Sequence, residues 1–282
     1  MTGLAPRARV DLHMHSTRSD GVLDADALLV ACAAAGLDVV ALTDHDLPPA
    51  WAAGVQIVRG HTLRVVHGAE VSVAFAGREL HVLVYTAGEM PPRLRDFLVG
   101  RAQARAARYA EACARTGLPG LAPPDAAACA GARALTRHHV ARAIFEAGHA
   151  PSPSAAFRQW LSGPASVLPP ITLPLEALVA EARAAGALTA WAHPPMADAA
   201  ALAPAVAAAG VDALEAVRPG IGGHGRAALG RLALKHGLAV VGGSDWHGHS
   251  GPGIGHFAAP GREVAPFLAR LEAAPPGLSA AE

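Results

Sequence analysis

The chain has 282 residues, 52% hydrophobic and 4% aromatic, and its 23 basic and 23 acidic residues cancel to zero formal net charge. That length suits one large domain, or one with an insertion, with ample apolar content for a core. The charge balance excludes a general affinity for nucleic acid or a stable DNA complex, so anion binding has to be local; no apolar run approaches the ~20 residues of a membrane span.

Residues 1–10 are short and mixed and do not read as a leader. The cysteines, Cys32, Cys113 and Cys129, are odd in number and lack a CxxC spacing. They read as free thiols in a reducing compartment, which predicts a soluble, cytoplasmic protein.

Along the chain, Val10 to His15 reads as a strand and Asp24 to Ala35 as a helix, with Asp24 as N-cap and Gly36 as stop. Strands follow at Asp38 to Leu42 and Leu63 to Val66. Val71 to Phe75 and Leu80 to Tyr85 flank Ala76-Gly77-Arg78-Glu79 as a hairpin. From about Pro91 the texture turns helical, over 92–116, 123–130, 136–147 and 154–161. Residues 95–165 therefore read as a helical insertion between two parts of one domain, 1–94 and 166–282. After Pro169-Pro170, helix and strand alternate: 174–185, Ala187 to Trp191, 198–209, Ala213 to Val217, 222–236, Leu238 to Val241 and a last helix at 263–272. Such alternation predicts parallel strands with right-handed crossovers and a site at the strands' carboxyl ends.

Histidines and carboxylates recur at those ends. Asp11, His13 and His15 are spaced by two, so on a strand they share one face while Val10 and Leu12 pack. Asp20 comes next. His45 follows the second strand, Glu70 the third, His193 follows Trp191, and Asp245 and His247 follow Val241. His81 alternates with Leu80 and Val82. Imidazole and carboxylate are the ligands of an open hydrolytic metal centre. Asp11, Asp44 and Asp46, with Ser16 and Ser244, read as residues that orient or cap these ligands. His61, His67, His149 and His236 read as surface or loop residues, whereas His249 and His256 lie close enough in sequence to meet a substrate.

Asp11-Leu12-His13-Met14-His15-Ser16, Ser19-Asp20-Gly21, Thr43-Asp44-His45-Asp46, Gly68-Ala69-Glu70, Ala192-His193-Pro194 and Gly243-Ser244-Asp245-Trp246-His247 together resemble the PHP (polymerase and histidinol phosphatase) domain. The resemblance covers residues 10–90 and 170–250, and is to the branch of stand-alone phosphoesterases that includes 3′,5′-nucleoside bisphosphate phosphatases and 5′ to 3′ exonucleases. It implies a distorted (β/α)7 TIM-like barrel with a helical insertion as cap. It also implies two or three divalent ions, manganese first, with iron or zinc also suited. His13, His15, Glu70 and Asp245 would hold one ion. Glu70 would bridge to a second, with His81 and His193, and Asp20, His45 and His247 would hold a third. Asp20, His45 and His247 are also the catalytic candidates; His247, Asp20 or an insertion histidine remains open as proton donor.

The resemblance further implies substrate-binding arginines on the first insertion helix, here Arg101 and Arg105, whereas Arg108 reads as part of a solvated face. Thr136 to Arg142 resembles the family's Arg-Pro-His segment and nominates Arg137 and His139; His138 replaces the proline, so which histidine faces the site stays open. Arg218 stands where relatives often carry tyrosine, and is a candidate phosphate contact. The expected activity is hydrolysis of a phosphomonoester of a small nucleotide, such as a nucleoside 3′,5′-bisphosphate, or of short 5′-phosphorylated RNA, by a metal-bridging hydroxide. A histidinol-phosphate-type phosphatase and a non-catalytic regulatory module are the alternatives.

Overall fold

The computed structural model describes residues 4–274. Its strands form two five-stranded sheets. The first contains β1 (Arg9–Asp11), β2 (Val39–Val40), β3 (Gly54–Val58), β4 (His61–Val65) and β10 (Ala259–Pro260), in the order β10-β1-β2-β4-β3. The second runs β5-β6-β7-β8-β9, with β5 at His67–Phe75, β6 at Arg78–Thr86, β7 at Leu188–Trp191, β8 at Ala213–Val217 and β9 at Ala239–Gly242.

A closed barrel is not found: among the described residues no continuous ladder joins the two sheets. The sheets meet through single bridges, Met14 to Trp246 and His45 to Glu70. The cause is local. Asp46, His193 and Asp245 have positive φ (50°, 28° and 53°), which breaks the extended conformation at the strand ends, although backbone bonds from Asp46 to Glu70 and from Asp245 to His13 still cross the seams. The strands are also not uniformly parallel. β1, β2 and β4 are parallel, as are β7, β8 and β9, but β3 with β4, β5 with β6 and β6 with β7 are antiparallel. β3 lies where the sequence predicts no element. It is an edge strand whose Val55 and Ile57 point to solvent, so it lacks the apolar-in pattern that marks a strand.

Between the sheets, Val10, Leu12, Val39, Ala41, Leu83, Tyr85, Ala190 and Val241 pack together. The Tyr85 hydroxyl donates to the Leu12 carbonyl at 2.7 Å, tying β6 to the end of β1. Helix α1 (Ala25–Ala34) begins as expected, with the Asp24 side chain accepting from the Ala27 N–H. The hairpin β5–β6 pairs nine residues on each strand and turns at Ala76 and Gly77, both left-handed, as a two-residue turn requires. Its pleat sends Val71, Val73, Val82 and Val84 into the core and leaves Glu70, Ser72 and His81 on the opposite face.

The helical segment comprises α2 (Pro92–Thr116), α3 (Ala126–Cys129), α4 (Arg137–Glu146) and α5 (Pro153–Trp160). It has its own core, where Tyr109, Ala112, Leu135, Val140, Ile144 and Leu161 are buried against one another. Helices α6 (Leu175–Ala184), α7 (Met196–Ala208) and α8 (Gly222–Lys235) alternate with β7–β9, and α9 (Gly261–Ala273) closes the described chain. No helix in the described residues is long and apolar enough to cross a membrane. Cys32 is buried, Cys113 half-buried and Cys129 exposed, all as free thiols.

Candidate metal centre

The strand ends bring all nine candidate ligands together. His13 Nε2 and His15 Nε2 each lie 3.3 Å from Asp245 Oδ1, and 3.3 and 3.1 Å from Glu70 Oε2. Four ligand atoms around one ion at ~2.1 Å stand about 3.4 Å apart if tetrahedral, so the spacing matches a shared ion. On the other oxygen of Glu70, His81 Nδ1 lies at 2.9 Å and His193 Nε2 at 2.8 Å. The third group is looser. Asp20 is 3.3 Å from His247 Nε2 and 3.7 Å from His45 Nε2, and His45 Nδ1 reaches Glu70 Oε2 at 3.1 Å. Glu70 is thus the hub, with each oxygen serving different imidazoles.

The donor set fits a cation on independent grounds. His13 Nε2, His15 Nε2, His45 Nδ1, Asp20 Oδ1 and Glu70 Oε2 are all buried and lack a hydrogen-bond partner in the protein. Buried polar atoms without partners are costly, and five converging on one space call for a shared ligand. The electrostatics agree. Burial opposes charge on His15, yet Asp245, Glu70 and Asp20 outweigh it and push the imidazole up to about 10. Desolvation likewise opposes charge on the half-buried His81, but Glu70 and Glu79 raise it to about 9. Burial raises the Asp20 and Glu70 carboxyls, but the imidazoles, His45 foremost, hold both well below the usual carboxylate range. This demand for positive charge is what a divalent ion satisfies.

The surrounding residues fix the ligands' orientation. Asp11 accepts from the Ser244 and His13 backbone N–H groups, at 2.8 and 3.3 Å, and burial pushes its carboxyl up to about 7. Asp44 accepts from the Ser16 and Ser19 hydroxyls, both at 2.7 Å. His247 Nδ1 faces the Asp245 carbonyl at 2.9 Å, which turns Nε2 toward Asp20. Left-handed backbone at His193 and Asp245, both ligand candidates, is strain held in place by the fold.

Glu215 is a residue that the sequence reading missed. It is fully buried on β8; one oxygen meets His13 Nδ1 at 3.0 Å and the other accepts the His193 backbone N–H at 2.6 Å. It fixes the tautomer and aim of one ligand and the loop carrying another. The signal was present: a lone carboxylate inside the apolar strand Ala213-Leu214-Glu215-Ala216-Val217. Glu215→Gln is expected to lower metal affinity by about 10–100-fold with the fold retained. Metal titration by calorimetry measures it; an unchanged affinity would remove Glu215 from this role.

The cavity above the cluster has a volume of about 330 Å³. Its walls correct several substrate expectations. Arg108 does not lie on a solvated face: it lines the cavity, with Nε donating to the Pro169 carbonyl and Nη2 to Glu79. Arg105 also lines it, but its guanidinium pairs with the buried Asp46 and donates to Ser72. Arg101 lies 3.8 Å from the same Asp46 carboxylate. Arg218 donates to the Pro194 carbonyl and is not among the residues lining this cavity. Arg137 lines it, resting over the Phe157 ring at 5.2 Å. His138, not His139, faces it, because His139 Nδ1 is taken up accepting the Thr136 backbone N–H at the start of α4. Burial pushes the His139 imidazole down to about 4, which keeps that nitrogen an acceptor.

Since Arg105 and Asp46 form a buried pair, Arg105→Met leaves the buried carboxylate with Arg101, 3.8 Å away, as its remaining cationic partner. It is expected to destabilise the protein by roughly 3 kcal/mol, the lower end for a broken buried pair. Urea unfolding of R105M beside R105M/D46L checks this: the double variant should recover part of the loss.

The PHP domain profile matches residues 11–95. The 5′-3′ exoribonuclease Rnm of Salmonella typhimurium is 32% identical over 248 residues, covering 84% of each chain. The chain belongs to the PHP domain family. The 3′,5′-nucleoside bisphosphate phosphatase of Chromobacterium violaceum is 27% identical to this PHP chain over 264 residues, 88% of the chain and 91% of the relative. Among solved structures, one from Bifidobacterium adolescentis described as a metal-dependent phosphoesterase superposes with a TM-score of 0.73 at 24% identity, covering 98% of both chains. A second, an amidohydrolase from Chromobacterium violaceum with bound sulfate, gives 0.71 at 23% identity over 94% of this chain and 97% of that one. These two likenesses concern the fold.

Proposed function

We propose that this PHP chain, a metal-dependent phosphoric ester hydrolase, removes a phosphate from a small nucleotide such as a nucleoside 3′,5′-bisphosphate. The observation that carries the reading is the clustering of nine candidate metal ligands, with Glu70 at their centre, under a cavity that also presents Arg108, Arg137 and His138. His13, His15, Glu70 and Asp245 would hold one ion, Glu70, His81 and His193 a second, and Asp20, His45 and His247 a third; the mixed nitrogen and oxygen donors suit manganese, iron or zinc. Such ions, when bound, lower the pKa of water toward ~7 and offset phosphoryl charge.

The protein's own groups supply the rest. Arg108 and Arg137 offer forked N–H donors to the phosphoryl oxygens. Glu79 tethers Arg108, and its carboxyl, although partly buried, is held down to about 2 by His81 and Arg108, so it stays an acceptor. His247, with Nε2 toward Asp20, where it would hold the third ion, and Nδ1 facing the Asp245 carbonyl, orients that group and has no nitrogen free to protonate the leaving oxygen. His138, pushed down by burial, stays neutral near pH 7 and can orient that oxygen. Residues 95–165 act as a cap over the mouth of what we read as an opened barrel.

A second reading, 5′ to 3′ cleavage of short RNA, is favoured by the exoribonuclease relatives. Phosphate or nucleotide release from manganese-loaded protein, with a chelated control, separates the readings. Adenosine 3′,5′-bisphosphate, 5′-AMP, histidinol phosphate and a short 5′-phosphorylated RNA are the substrates. Chelator-sensitive release from the bisphosphate supports the first reading. Release from histidinol phosphate alone moves the chain to metabolite hydrolysis, and silence on all four favours a regulatory module.

A further inference from the structure

Strand β3 is the free edge of the first sheet, beyond β4. Edge strands of soluble proteins are ordinarily guarded by a charge, a proline or a bulge. Gly54-Val55-Gln56-Ile57-Val58 has none of these and pairs with β4 without a break in register. Val55 and Ile57 are 72% and 77% exposed, and among the described large hydrophobic side chains only Leu234 is as exposed. Being two residues apart, they share one face. Arg59 and Gly60, both left-handed, form a two-residue turn. Such a turn closes on a hydrogen-bonded pair, here Val58 and His61, and alternate pairs follow it, so Gly54, Gln56 and Val58 direct their N–H and C=O groups to β4. Those of Val55 and Ile57 point away from the sheet.

We infer that β3 is a dimer interface, pairing antiparallel with β3 of a second copy of this chain about a twofold axis at Gln56. In that register Val55 faces the partner's Ile57, Ile57 faces the partner's Val55, and each outward N–H finds an outward C=O. The β-branched side chains cover one another on the shared face, a pairing that strands favour. The contact is self-complementary, as a twofold interface must be. Charge fits the same register. Ala53 faces the partner's Arg59, and the Ala53 N–H donates to Glu89 Oε1 at 2.9 Å. The exposed Arg59 of one copy is thereby brought beside Glu89 of the other, a carboxylate that is 63% exposed and that Arg95 approaches at 3.3 Å. The axis makes two such pairs, one at each end of the joined strands. Within one chain the extended strand holds Arg59 roughly 20 Å from Ala53, so Arg59 and Glu89 meet only across the interface. Dimerisation is independent of which phosphoester the metal centre cleaves.

A five-residue edge falls short of the roughly 1,200 Å² of a standard interface, so the dimer should be weak, with a Kd on the order of 10–100 μM. Sedimentation velocity of the full chain, at concentrations spanning that Kd, tests it. Ile57→Lys, which the axis places in the contact twice, should weaken association about tenfold or more. Ile57→Pro removes an outward N–H and leaves the bonds to β4, so it should do the same. Melting temperature and phosphoester turnover of I57K should match wild type, since β3 carries none of the candidate ligands. Arg59→Glu and Glu89→Arg should each sediment as monomers alone, whereas an equimolar mixture should associate, because the mixed dimer restores both opposite-charge pairs. The mixture decides the matter if I57P fails to fold. A wild type that stays monomeric throughout, leaving the edge to some other chain, overturns the inference. So does a dimer that I57K leaves intact, or a mixture no more associated than its components.

Discussion

Glu70→Gln is expected to reduce phosphoester hydrolysis by roughly 10³-fold, about 4 kcal/mol of transition-state stabilisation. The size follows from Glu70's place as hub. One carboxylate oxygen faces His13, His15 and His45, and the other faces His81 and His193. Glutamine keeps the shape but supplies a single acceptor and turns an N–H donor toward a space that needs negative charge. Metal content should fall along with activity. Metal that binds only the native state stabilises it by about 2.7 kcal/mol at a hundredfold excess over Kd. Wild type should therefore show a Tm that rises with added manganese, whereas E70Q should show little rise. Elemental analysis, phosphate release and thermal melts of the same samples test this together. Full metal occupancy with wild-type turnover in E70Q would sink the hub assignment, and with it the catalytic reading of the cluster.

Gly243→Ala should be among the most damaging single methyl additions in the described residues. A Cβ there would lie 2.6 Å from the His13 nitrogen and 2.9 Å from its Cα, with the His13 Cβ closer still. These are backbone or near-backbone atoms of a ligand residue, so no flexible side chain can yield. Overpacking of this kind costs about 1–3 kcal/mol, and displacement of a ligand strand by about 1 Å costs on the order of 10²-fold in rate. Gly223→Ala, on α8 with nothing within 4 Å of the added carbon, is the control. It should be neutral or stabilise by about 0.4–1 kcal/mol. Urea midpoints and metal affinity for both variants read out the difference; a G243A protein as stable and active as G223A would mean that the β1 to β9 approach is looser than its geometry implies. Gly21 raises the same issue on the other side, because its Cβ would fall on the His15 carbonyl.

These effects arise where the fold departs from a regular barrel. The sheets meet at bridges beside His45, Glu70, Met14 and Trp246, and the candidate ligands lie at those seams. Turning the chain out at Asp46, His193 and Asp245 leaves room for side chains to converge.

Much was legible in the chain itself. The two-residue spacing of Asp11, His13 and His15 and the histidines and carboxylates at the strand ends are local patterns, and local patterns survive without a fold. So do the helix starts: Asp24 caps α1 and Pro92 opens α2. Strand β3 did not show because an edge strand with its apolar residues outward has no buried period to detect. Glu215 was overlooked because nothing in five residues says which way a strand faces, although a lone acid among Ala, Leu and Val marks the position.

The sequence by itself determined which residues are the candidate ligands, because ligand type and strand-end position are written in adjacent residues. Tertiary structure alone decided the aim of the side chains. It turned Arg108 into the cavity and committed Arg105 to Asp46. It gave the site His138 while His139 capped α4, and it left Arg218 on the Pro194 carbonyl. The reason is that a helix or strand period sets only the face a residue shares, whereas the partner waiting on that face comes from a segment tens of residues away, and only packing brings the two together.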